Sequence, residues 1–120
     1  MTGVNDAFTS LEQRTASPWK AHPKFPGVSM KALVDAQSSN GSLSQFLVRV
    51  EAGCALETHS HPTQCELHLV IRGDAKASLG TSELEYFPGM LATIQAGYPH
   101  SVRAGEEGVM LLATFSPANV

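Results

Sequence analysis

From Ser29 onward the chain alternates short apolar-rich runs with turn residues: "SMKALV", "LSQFLVRV", "LETHSH", "ELHLVI", "AKASLG", "LEYF", "MLATIQ", "HSVRA" and "VMLLATF". Within several runs apolar and polar positions take turns, which sends successive side chains to opposite faces of a strand. Gly41, Gly53, Gly73, Gly80, Gly89, Gly97, Gly105 and Gly108 stand at the joints, where turns call for backbone angles that glycine alone takes freely. Many short strands with such punctuation predict an all-β sandwich or barrel. Glu106–Glu107, between Gly105 and Gly108, read as a solvated hairpin turn. Before Ser29 the pattern is absent. Residues 1–28 are polar and interrupted by Pro18, Pro23 and Pro26, so they read as a mostly irregular N-terminal arm ahead of a β domain at 29–120. Its candidate helix runs over Asp6–Arg14, capped by Asn5 or Asp6.

Composition narrows the function classes. A chain of 120 residues is long enough for one domain with a single core, and 42% apolar with 16% charged residues argues against disorder. Eight Lys and Arg against eleven Asp and Glu give a net charge of −3, with no basic stripe, so nucleic acid is excluded as an expected partner. No run is long and apolar enough to span a membrane, and Asp6, Glu12 and Arg14 occupy the place of a secretory leader's apolar stretch. A cytoplasmic location is expected, with Cys54 and Cys65 as reduced thiols.

The chemistry concentrates in "HSHPTQCELH", residues 59–68, which holds three of the five histidines, Cys65 and Glu66. His59 and His61 are two apart, so on a strand both imidazoles leave one face as a pincer. Pro62 and Thr63 then turn the chain. In the next run Glu66, His68 and Val70 share one face and Leu67, Leu69 and Ile71 the other, and pairing of the two strands across the turn would bring Glu66 to the histidines. Cys65 points away from Glu66 by the same alternation, and the direction of Cys54 is open. In "AGYPHSV", a Gly-Pro turn sets His100 at the start of a later strand. A lone histidine is more often a surface or core residue than a ligand, and His22 is read so. On the run 43–50, either Phe46, Val48 and Val50 or Gln45, Leu47 and Arg49 face inward, giving an apolar or a polar pocket.

Read with its glycines, the stretch becomes an ordered pattern: Gly53, five residues, His59, one residue, His61, four residues, Glu66, six residues, Gly73. In this it resembles the first motif of the cupin superfamily. Gly89, Gly97 and His100 fall at matching positions of that family's second motif, while Gln95 stands where proline is usual and Ala104 where asparagine is frequent. The fifteen residues between Gly73 and Gly89 resemble the compact, single-domain bacterial type.

The resemblance implies a double-stranded β-helix, or jelly-roll, barrel with His59, His61, Glu66 and His100 as ligands of one divalent first-row transition metal: Fe, Mn, Ni, Zn or Cu. It leaves His68 as a support for the ligands, a pocket-lining acid/base or a core residue, and Tyr98 as a residue lining the mouth or simply packed. Four protein ligands on an octahedral ion leave two positions for a small molecule. Three functions suit such a site. The first is a metal-dependent enzyme acting on a small oxygenated molecule, and the second a redox-metal dioxygenase of a diol, thiol or phenolic substrate. The third is a non-catalytic sensing module. Apolar outer positions such as Leu67, Leu69 and Ile71 exceed what a small barrel can bury alone and predict a homodimer.

Overall fold

The computed structural model describes residues 17–119, and they form an all-β barrel. Its strands are β1 (Trp19–Ala21), β2 (Val28–Val34), β3 (Ser44–Val50), β4 (Ala55–His59), β5 (Cys65–Leu79), β6 (Ser82–Tyr86), β7 (Leu91–Ile94) and β8 (His100–Ser116). All pairings are antiparallel. The helix expected over Asp6–Arg14 lies outside the described residues. No helix among those described is long and apolar enough to cross a membrane.

The long strands β5 and β8 pair from Cys65↔Ser116 to Leu79↔His100 and serve two layers in turn. Their 65–73 and 109–116 halves pair with each other and with β7 and β3, and β2 and β1 follow beyond β3. Their other halves carry β6 and β4. Between the halves the register slips, with Gly73 opposite Val109 but Ala75 opposite Ala104. Gly73 and Gly108 take φ of 80° and 76° there, and a Cβ on Gly73 would collide with the carbonyl oxygen of Gly108. Only glycine fits so close a backbone crossing.

This bend corrects the expected hairpin. Glu106 and Glu107 are exposed, as a solvated turn would leave them, but they lie within β8. "ELHLVI" and "AKASLG" are likewise two halves of one strand, divided by a bulge rather than a turn. The arm is not wholly irregular either. Trp19–Ala21 adds an edge strand to β2, with the Arg49 guanidinium 4.2 Å over the Trp19 ring.

Inward-facing side chains fill the barrel. Val102 and Leu111 are fully buried, and Phe46, Val48 and Val50 join them in the core cluster. The open choice on β3 is thus settled for the apolar face, although Leu47 on the other face is also buried. Burying each such side chain contributes roughly 1.5–3 kcal/mol, which fixes the layers around the polar cluster at one end of the barrel.

Candidate metal centre

His59, His61, Glu66 and His100 each offer a donor atom, and these atoms all lie within 4.8 Å of one another. Their assembly differs from the expected one. β4 does not pair with β5; it pairs with β8, setting His59 opposite His100, while Glu66 on β5 stands opposite Phe115 at the far end of β8. One long strand therefore gathers both motifs. His61 lies just past the end of β4, its ring edge-on to Phe115 at 4.9 Å. Its carbonyl accepts a hydrogen bond from the Gly97 amide at 2.9 Å, and the Tyr98 amide donates to Gln95 O at 3.1 Å. The turn before His100 forms without proline at Gln95. Ala104, without an asparagine side chain, is held by its own amide, which donates to Cys54 O at 2.9 Å.

Backbone carbonyls set the tautomers. His59 Nδ1 donates to Glu57 O at 2.7 Å and His100 Nδ1 to Tyr98 O at 3.0 Å, so in the neutral form of each ring Nε2 is the nitrogen left to bind an ion. The Tyr98 side chain does something else. Its ring is exposed and lies against Gly80, so the residue serves His100 through its carbonyl.

Behind Glu66 lies a chain of two buried residues. His68 Nε2 is 2.7 Å from Glu66 Oε2, and His68 Nδ1 is 2.9 Å from the Tyr86 hydroxyl. A carboxylate accepts, so His68 Nε2 donates, and Nδ1 takes the hydrogen of Tyr86. Burial first, and then the charge of Glu66, raises the Tyr86 pKa and keeps that hydroxyl protonated. Nothing in "LEYF" marks Tyr86 as part of a site; its partner lies eighteen residues earlier, on the neighbouring strand.

His68 thus engages Oε2 and leaves Oε1 facing the imidazoles. Glu66 Oε1 is 3.0 Å from His100 Nε2 and 3.5 Å from His61 Nε2, yet all three atoms are buried and without a partner in hydrogen-bonding alignment. Unpaired buried polar atoms are costly and rare. A divalent cation would satisfy all of them, and three imidazole nitrogens with one carboxylate suit a first-row transition metal. The donor set fits the ion that the motifs imply.

Electrostatics agree. Burial alone would push the Glu66 carboxyl up, but His100 and His68 pressed against it hold the pKa at about 2. Burial lowers His59 and His61, while His100, although buried, is raised by Glu66 and the Tyr98 carbonyl. Cys65 is outside the cluster, and both cysteines are free. Cys54 packs against Gly27 and the core.

Beside the cluster a cavity of about 240 Å³ is lined by His59, His61, Glu66 and His68 and by the apolar Met30, Phe46, Val48, Leu56, Ala113 and Phe115. His22 and Asn119 complete the lining. His22, read from sequence as a surface or core residue, stacks on Phe25 at 4.6 Å, and Phe25 reaches His59 at 5.9 Å. Its neighbours in "AHPKFP" carry no spacing signal that tells a lining residue from a surface one.

Fold and cluster together define a class: an antiparallel β-barrel presenting three histidines and a glutamate next to an internal cavity. Residues 46–115 match the Cupin domain family, and the chain belongs to that family. No curated protein matches it by sequence. Among solved structures, KdgF from a Halomonas species is similar, with 20% identity over 85% of this chain and 89% of its own, at a TM-score of 0.76. An RmlC-like cupin from Shewanella frigidimarina gives 17% identity over 87% and 86%, at 0.75. A variant of the oxalate decarboxylase of Bacillus subtilis gives 21% identity over 88% of this chain and 28% of that longer one, at 0.76. At these identities the likeness is one of fold.

Proposed function

We propose that this cupin is a metal-dependent enzyme that holds one divalent first-row ion through His59, His61, Glu66 and His100 and acts on a small oxygen-containing molecule. The observation that carries the reading is the convergence of three buried, unpartnered donor atoms on one point beside a cavity. When bound, the ion would supply Lewis acidity or redox capacity at a substrate oxygen. The protein's own part is to orient and enclose. Glu57 and Tyr98 carbonyls fix the imidazoles, His68 and Tyr86 fix the carboxylate, and the Phe46–Phe115 side of the cavity keeps water from the substrate's body.

In this reading His68 is a positioning residue. It ties one oxygen of Glu66 and leaves the other for the ion. Two free thiols suit the cytoplasm. The homodimer is supported by the outer face of the sheet, where Leu91, Leu69 and Leu112 stand side by side across three neighbouring strands with side chains exposed or partly exposed.

Cobalt(II) titration of chelator-stripped protein tests the proposal. One ion per chain, with a visible spectrum showing nitrogen and oxygen donors and weakened binding in Glu66→Gln, is expected. Absence of stoichiometric binding would sink the proposal.

A further inference from the structure

We propose that the cavity takes a small molecule with one oxygen-donor head and an uncharged, largely apolar body of about one ring, such as a simple aromatic acid or phenol, and disfavours sugar acids and dicarboxylates. The inference rests on the metal-centre reading above, which supplies the anchor for the head, and adds the chemistry of the body.

Size comes first. A cavity of ~150 Å³ with an apolar lining accepts benzene, so about 240 Å³ accommodates one six-membered ring with one or two substituents. Drug-sized ligands need more room. Polarity comes second. Apart from the donor residues the walls are mainly Met30, Phe46, Val48, Leu56, Ala113 and Phe115, and no Lys or Arg is among the described residues that line the cavity. The polar groups at the remaining edge are His22 and Asn119. His22 does not replace a cation, because its Nδ1 accepts the amide hydrogens of Lys24 at 3.0 Å and Phe25 at 3.3 Å. Burial and the nearby Lys24 also lower its pKa.

A second carboxylate on the ligand would therefore be desolvated without a counter-charge, in a chamber that already holds the ionised Glu66. Beyond the His22–Asn119 edge the hydroxyls of a sugar acid would meet methyl groups and ring edges instead of partners, at a cost in desolvation. An aromatic ring meets the Phe46 and Phe115 pair, whose rings stand edge-on to each other at 6.0 Å.

The test is calorimetric titration of cobalt-loaded protein with acetate, isobutyrate, benzoate and succinate, all presenting the same head. Each apolar carbon buried should tighten binding about four-fold. The expected order is benzoate, then isobutyrate, then acetate, with succinate no tighter than acetate despite matching benzoate in length. Succinate equal to benzoate, or a flat series, would overturn the inference while leaving the metal reading intact; failure to load cobalt would sink both. Val48→Phe, which fills the chamber, should keep its cobalt stoichiometry and lose the advantage of benzoate over acetate. A variant that loads cobalt and keeps that advantage would show that the ring binds elsewhere. Should the variant not fold, the series on the unaltered protein decides alone.

Discussion

At the scale of single residues, the informative group is the one that binds nothing directly. His68 is buried between Tyr86 and Glu66, and its hydrogen bond at 2.7 Å governs which carboxylate oxygen faces the imidazoles. Removing such support from a ligand typically costs 10–100-fold in metal affinity. We expect that loss, to order of magnitude, in His68→Phe by chelator competition, with partial recovery in His68→Gln, whose amide can still donate to Glu66. Equal loss in both variants would point to packing alone. The pH dependence of affinity follows from the same residues. Glu66, at about 2, stays ionised, so proton competition comes from the imidazoles. Protonation of a ligand weakens binding, so affinity falls on acidification. His100 is raised above the ordinary 6.5 whereas burial lowers His59 and His61. The decline should thus begin above pH 6.5, where His100 takes up its proton, and so before pH 4.5, the ordinary value for a glutamate. A decline confined below pH 4.5 would contradict this order.

At the scale of elements, the bend shared by β5 and β8 decides the architecture. Gly73→Ala forces a side chain into positive φ and against the Gly108 carbonyl, which should destabilise the barrel by about 1–3 kcal/mol or more in urea unfolding. An unchanged midpoint would mean that the bend tolerates a Cβ. Much of this level was legible in the sequence. Strand alternation placed Glu66, His68 and Val70 inward, and all three are buried. The glycines located the breaks, but glycine marks a bulge as readily as a turn, so two continuous strands read as four runs. Trp19–Ala21 escaped notice because three residues between prolines carry no periodicity, and their strand exists only through pairing with β2. The Glu66–His68–Tyr86 chain was half visible. His68's face followed from alternation, whereas Tyr86 pairs with Ala75 on β5 and meets His68 only through the tertiary fold, which is a long-range fact.

For the whole molecule, the outer sheet face is the feature a solitary barrel leaves unexplained. Leu91 is 59% exposed, and Leu69 and Leu112 beside it are partly so. A contiguous apolar row across three strands suits face-to-face packing of two copies. Sedimentation should report a dimer at micromolar concentration, and Leu69→Asp should shift it to monomer without loss of the fold; a monomeric unaltered protein would count against the assembly.

The central claim remains that four side chains from three strands and a loop converge to hold one metal ion. It is tested most directly by elemental analysis of the protein purified without added metal, beside the His59→Ala/His61→Ala double variant. Roughly one first-row transition ion per chain is expected in the unaltered protein and none in the variant, because two of four ligands cannot retain the ion through purification. Full metal content in the double variant, or none in the unaltered protein even after supply of Fe, Mn, Ni, Zn and Cu, would contradict it.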